Sequence, residues 1–197
     1  MSIEEAIDLA YEGDAILFVG AGFSRTAKNM KGNQLPDGAK LSSHLLSRCG
    51  LSEQAELTAA AQLFQDKFGS STLIKEIKEI FTVDQIHDSH RNVCSIPWKR
   101  LYTTNYDNVL ESAFAAHNKK LLSFTTQNSP YSIPKHAPIC LHINGYAISA
   151  DEGSLSSDLK LTSTSYFTQD FQRSPWCEYF KSDIRLAKAV FFVGYSL

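Results

Sequence analysis

The sequence has no excess of basic residues: 19 Lys and Arg stand against 21 Asp and Glu, a formal net charge of -2 over 197 residues. A domain that holds nucleic acid through its phosphates normally carries a clear cationic surplus, so a polyanion is not the expected partner. Cysteine is scarce. The four cysteines, Cys49, Cys94, Cys140 and Cys177, are far apart and never form Cys-x-x-Cys, which excludes a zinc ribbon and a dithiol redox pair and leaves reduced, buried thiols as the simplest reading. Long apolar runs are also missing. The longest, Ala15 to Val19 and Ala189 to Val193, fall far short of the roughly 20 residues that a membrane-spanning helix needs. No export leader is expected at the N-terminus, where IEEAIDLA places acids in the region that a signal peptide makes basic. The expectation is a cytoplasmic protein with no membrane contact of its own.

What is present is an ordinary globular composition, 43% hydrophobic and 20% charged. At roughly 150 residues per domain, the length suits one domain with one sizeable insertion. Five short runs rich in apolar residues read as strands: Ala15 to Val19, Arg100 to Thr104, Leu121 to Thr125, Pro138 to Ile143 and Ala189 to Val193. Runs of this length without polar alternation are typical of strands covered on both faces. Helical stretches are expected at Ile3 to Tyr11, Asp107 to His117 and Pro175 to Lys188. Between Thr26 and Ser95 helical periodicity takes over (Leu41, Leu45, Leu46; Leu57, Ala60, Ala61, Phe64; Leu73, Ile74, Ile77, Ile80, Phe81). The predicted fold is therefore α/β, a Rossmann-like, mostly parallel sheet flanked by helices, with a helical insertion after the first strand. Such sheets bind ligands at the carboxyl ends of their strands.

Four of those strand ends carry glycine or small polar residues. The first run exits into Gly20-Ala21-Gly22-Phe23-Ser24-Arg25, where glycines let backbone approach a phosphate and turn amides offer donors. Arg25 stands where the dinucleotide fingerprint G-x-G-x-x-G has its third glycine, so the motif is incomplete. The second exits into Thr104-Asn105-Tyr106-Asp107, which delivers a carboxamide and a carboxylate together; Asp107 also suits a helix N-cap. The fourth carries His142 in Cys140-Leu141-His142-Ile143-Asn144-Gly145-Tyr146, either a satisfied core histidine or a general base. The last exits into Gly194-Tyr195-Ser196. His87 and His90 form His-x-x-His without an evident third ligand, so no metal is expected. His44, His117 and His136 read as solvated or structural.

The segments ILFVGAGFSR (Ile16 to Arg25), LPDGAKLSSHLL (Leu35 to Leu46), HRNVCSIPWKRLYTTNYDNVLE (His90 to Glu111), CLHINGY (Cys140 to Tyr146) and FFVGYSL (Phe191 to Leu197), in this order, resemble the sirtuin-like family. The resemblance is to the silent-information-regulator-like domains of bacterial anti-phage defence proteins that hydrolyse NAD. It implies NAD as substrate. Gly20, Ala21, Gly22, Phe23, Ser24 and Arg25 would hold the diphosphate and nearby ribose. Thr104, Asn105 and Asp107 would meet the nicotinamide ribose and ring, and Gly194, Tyr195 and Ser196 would line the adenosine side. The catalytic pair falls on Asn105 and His142, with Asp107 beside them. In one respect the chain departs from the pattern: many relatives have the histidine directly before the glycine, where this sequence has Asn144 before Gly145.

The implied reaction is cleavage of NAD to nicotinamide and ADP-ribose. NAD-dependent protein deacylation is the alternative within the family, although its usual four-cysteine zinc module has no counterpart here. A silent NAD- or ADP-ribose-binding module is the non-enzymatic alternative. Because the sequence stops directly after a ligand-edge motif, residues 1 to 197 are expected to be an N-terminal fragment of a longer protein. Its missing C-terminal region would sense a trigger and build a homo-oligomer or larger defence assembly.

Overall fold

The structure, a computed structural model, describes residues 1–134, 137–157, 159–161 and 169–195. Helix α1 (Ile3–Tyr11) opens on a capping box in which Ser2 and Glu5 satisfy each other's backbone amides. It leads into β1 (Ala15–Val19), all five residues of which are buried. A single helical turn follows, α2 (Ala21–Ser24), and then strand β2 (Lys28–Asn29). Helices α3 (Gly38–Arg48), α4 (Leu57–Phe68) and α5 (Ser70–Phe81) come next, with strand β3 (Val83–Gln85) and helix α6 (Asp88–Ser95) behind them. The chain then returns through β4 (Arg100–Thr103), α7 (Val109–Ala115), β5 (Leu122–Thr125) and β6 (Ile139–His142). Short helices α8 (Ser154–Ser157) and α9 (Gln169–Arg173) precede α10 (Pro175–Leu186) and the final strand β7 (Ala189–Val193).

The main sheet has the order β5-β6-β4-β1-β7, and every pairing in it is parallel. This is the expected Rossmann-like α/β sheet. Successive residues of each strand feed two separate layers. Leu17, Leu101 and Cys140 pack beneath α1, α6 and α7, while Ile16, Tyr102 and Leu141 face Trp176 of α10. A third core belongs to the helical insertion, where Leu41, Leu45, Phe64, Leu73 and Ile77 are fully buried.

Two differences from the sequence reading have local causes. The helix expected from Asp107 begins at Val109, because the Asp107 carboxylate accepts the Val109 amide at 3.0 Å and so acts before the first turn. The antiparallel pair β2–β3 was not foreseen, since strands of two and three residues are too short to show a period.

The ends of β1 and β7 touch backbone to backbone. The Gly22 amide donates to the Gly194 carbonyl at 2.8 Å and the Gly20 amide to the Val193 carbonyl at 3.1 Å. Gly194 has φ +65°, and a Cβ there would lie 1.9 Å from the Phe23 amide nitrogen. Gly194→Ala is therefore expected to cost about 3 kcal/mol or more, since neither conformation nor space allows it. Urea unfolding of the variant beside the parent checks this, and a loss below 1 kcal/mol would contradict the crossing.

Candidate active site

The register of the sheet sets the site. Val193 pairs with Val19, Val19 with Thr103, Thr103 with His142, and His142 with Thr125. The five strands thus finish on one row, and the residues that follow must find partners for backbone groups that the ladder no longer serves. They find them in one another. Thr103 Oγ1 donates to the Val19 carbonyl at 3.2 Å and accepts the Asn105 amide at 2.9 Å. The Ile143 amide donates to the Thr103 carbonyl at 2.8 Å.

Two adjoining cavities open along this row. The larger, of about 710 Å³, is bounded by Gly20, Ala21, Gly22, Arg25, Lys40 and Gly194, with Tyr195 at its rim. Arg25 and Lys40 form no ion pair among the described residues, and the one carboxylate on the wall, Asp37, caps α3 through the Lys40 amide at 2.9 Å. The balance favours an anion. The glycine turn contributes less than its sequence suggests. The amides of Gly20, Gly22 and Phe23 already donate to Val193, Gly194 and Gly20, so Gly20 and Gly22 are required first by the β7 crossing. Phe23 turns into the core, its carbonyl accepting His90 Nε2 at 2.8 Å. Ser196 lies outside the described residues, as does His136.

The smaller cavity, about 170 Å³, is walled by Leu35, Leu41, Leu57 and Phe81 from the helical insertion, which therefore caps this end of the site. Facing them are Ser24, Thr104, Asn105, Asp107 and Asn144. Asn105 Nδ2 donates to the Gly20 carbonyl and to Ser24 Oγ, both at 3.0 Å. With both amide hydrogens committed, Oδ1 is the acceptor left to face the cavity. Ser24 and Asp107 stand beside Asn105 on this wall. Burial pushes the Asp107 carboxyl up to about 6 against the pull of the Val109 amide and the Ser24 hydroxyl.

His142 is fully buried and lines neither cavity. Its Nδ1 meets the Asn105 carbonyl at 3.1 Å, and a carbonyl can only accept, so Nδ1 carries a hydrogen. Its Nε2 meets Glu111 Oε1 at 2.9 Å. Burial opposes charge on both partners, but their mutual attraction and hydrogen bond outweigh it, raising His142 and lowering Glu111. Each partner thus favours the charged form of the other. Ser123 donates to the same Glu111 oxygen, while Oε2 is buried without a hydrogen-bond partner. The expectation that His142 takes a proton from substrate or water does not fit this placement, because neither ring nitrogen is directed at the cavity. Asn144 occupies the wall instead, donating through Nδ2 to the Thr104 carbonyl at 3.2 Å.

His87 and His90 are not arranged as metal ligands. His90 Nδ1 accepts the His87 amide at 3.0 Å and its Nε2 holds Phe23, so the ring ties α6 to the glycine turn. Glu111, Cys140 and His142 do bring ligand-type atoms within 4.8 Å of one another, with His142 and Glu111 already bonded to each other. Sequence reasoning passed over Lys40, Ser24 as a partner of Asn105, and Glu111. Lys40 and Glu111 stand within the quoted segments, but only the folded chain shows what they face.

Two stability effects follow. Folding raises the pKa of Asp107, so its contribution is fullest below about pH 4 and is lost as pH rises through 6, on the order of 3 kcal/mol in all. Asp107→Asn keeps the cap and is expected to exceed the parent in stability by about 1–3 kcal/mol at pH 8, with the gap closing at pH 4; urea unfolding at the two pH values reads this. His142→Ala leaves Glu111 buried and unpaired and is expected to cost about 3–5 kcal/mol, visible as a lowered Tm.

Residues 99–197, half of the chain, match the SIR2-like domain family. This stretch carries Asn105, Asp107, His142, Asn144 and Gly194. A relative, the NAD(+) hydrolase ThsA of Cytobacillus dafuensis, is 28% identical over 116 residues, which are 56% of this chain and 22% of that protein. The chain thus spans about a fifth of the length of the curated relative it matches. No described helix is long and apolar enough to cross a membrane. On the extent of the family match, and with a parallel sheet whose ends converge on Asn105, the chain belongs to the SIR2-like domain family.

Proposed function

We propose that the chain is an NAD hydrolase domain that cleaves NAD to nicotinamide and ADP-ribose. The observation that carries this reading is the joining of two unlike cavities through Ala21, Leu35, Asp37 and Thr104. One is wide and lined by Arg25 and Lys40, which have no ion-pair partner among the described residues, and is suited to a diphosphate and its adenosine. The other is small, capped by apolar side chains and floored by a carboxamide and a carboxylate, suited to a ribose and a ring. The relative's printed activity agrees with it.

In this reading Arg25 and Lys40 hold the diphosphate, while Gly194, Tyr195 and Ser196 border the adenosine. The nicotinamide ribose lies over Asn105, whose Oδ1 accepts a hydrogen bond from a ribose hydroxyl or the attacking water. Nicotinamide leaves a cationic ring as a neutral molecule, so the transition state is oxocarbenium-like and the site acts mainly by positioning and electrostatics. His142 does not touch the substrate; it positions Asn105 through the backbone carbonyl. The biological setting we propose is a bacterial cytoplasm, with the domain as the NAD-depleting effector of an anti-phage defence system.

One observation favours a second reading, a domain that binds NAD or ADP-ribose without cleaving it: Asn144 holds the wall position before Gly145 where the family resemblance sets a histidine. Chromatography of NAD incubated with the purified protein separates the two. The parent is expected to release nicotinamide and ADP-ribose in equal amounts, and Asn105→Ala to lower the rate by about 100-fold or more while still binding ADP-ribose. NAD that binds and stays intact would establish the silent module instead.

A further inference from the structure

We propose that His90 is a positioning residue for the diphosphate end of the site: its imidazole holds Phe23 and Thr26, the residues that flank Ser24 and Arg25, and so sets where Arg25 stands on the wall of the wide cavity. The inference rests on the reading of that cavity as the diphosphate site, and it adds a determinant that lines neither cavity. His90 is buried on α6, 67 residues along the chain from Phe23. Its tautomer follows from its partners. The His87 amide donates to Nδ1 at 3.0 Å, so Nδ1 carries no hydrogen and Nε2 does. That hydrogen is donated to the Phe23 carbonyl at 2.8 Å, with Thr26 Oγ1 at 3.3 Å from the same nitrogen. Burial lowers the pKa of the ring and so favours this neutral form.

The single turn of α2 leaves this contact to the imidazole. In a continuing helix the Ala27 amide would serve the Phe23 carbonyl, whereas here it donates to the Ser24 carbonyl at 3.0 Å. Phe23 is itself buried, so without the ring its carbonyl would be desolvated and unserved. The neighbouring residues have ties of their own: Gly20 and Gly22 donate to β7 and the segment that follows it, and Ser24 Oγ accepts Asn105 Nδ2 at 3.0 Å. Arg25 is exposed and forms no ion pair among the described residues. Its place therefore depends on the two residues that His90 holds.

The effect falls on binding rather than on the reacting carbon. Loss of the tether misplaces the cation that meets the phosphates, while Asn105 keeps its bonds to Gly20 and Ser24. An interaction made equally with substrate and transition state changes KM and not kcat. Two variants separate the two bonds of the ring. In His90→Asn the carboxamide oxygen takes the place of Nδ1 and still accepts the His87 amide, but the side chain stops short of Phe23. In His90→Gln the carboxamide nitrogen reaches about as far as Nε2 and still donates to the Phe23 carbonyl.

The test is nicotinamide release by the purified protein over a range of NAD concentrations, with ADP-ribose binding by calorimetry and Tm measured on the same samples. His90→Asn is expected to raise KM and the ADP-ribose Kd about tenfold with kcat within about threefold of the parent, and His90→Gln to bring KM and Kd back to within about threefold. If His90→Asn does not fold, Thr26→Val takes its place, removing one of the two contacts and raising Kd about threefold. A purely structural role would lower the Tm of both histidine variants and leave KM and Kd where they are; that result, or a loss confined to kcat, overturns the assignment and leaves the hydrolase reading standing. A parent that binds ADP-ribose without cleaving NAD ends the hydrolase reading alone, and the Kd values still decide the role of His90. A parent that does not bind ADP-ribose overturns both.

Discussion

The constraint on which the rest depends is the level register of the five parallel strands. Because Val193, Val19, Thr103, His142 and Thr125 stand in one row, every chain segment leaving the sheet emerges at the same height with backbone groups to satisfy. The solution is mutual: Thr103 serves Val19 and Asn105, Asn105 serves Gly20, His142 serves Asn105, and Gly194 serves Gly22. The polar cluster that faces the ligand is the upper side of this lacing. Its lower side is structural. One residue, Asn105, belongs to both, with a backbone carbonyl and Nδ2 tied to protein and Oδ1 left to the cavity, which is why its position is so strongly determined.

The sheet was legible in the sequence because strands covered on both faces are written as short continuous apolar runs, and β1 and β7 were bounded correctly from that signal alone. The same property hid the roles of His142 and Asn144. A strand apolar on both sides gives no alternation from which to read which face a residue takes, so His142 could be placed at the ligand edge but not turned toward or away from it. In the fold it shares the face of Cys140, over α7, and Asn144, two residues on and past the strand, reaches the wall. The glycine turn shows a different limit. Its signal was local and suggested a phosphate, whereas the space that forbids a Cβ at Gly22 is filled by Gly194, far along the chain. Helical periodicity announced the insertion, but only tertiary packing sets Leu41, Leu57 and Phe81 over the small cavity.

Electrostatics in the site are resolved unevenly. Glu111 is buried beside His142 and receives two hydrogen bonds on one oxygen, which favour its ionised form against burial. Asp107, a few residues earlier and also buried, receives only a backbone amide, and its charge is resisted. Two carboxylates within about one turn of chain are thereby driven apart in pKa by their surroundings. The buried network under Asn105 stabilises the framework within which a desolvated carboxylate is tolerated.

The cap adds a mechanical link to this division. Its core is not confined to α3, α4 and α5: Ala147, Ala150, Leu155 and Leu161 are buried in the same cluster, with Tyr106 packed against it. Those residues flank Asn144 and Asp107 in sequence, and the Ala147 amide donates to the Tyr106 carbonyl at 2.9 Å. The segments that carry the wall of the small cavity are thus rooted in the cap as well as in the sheet.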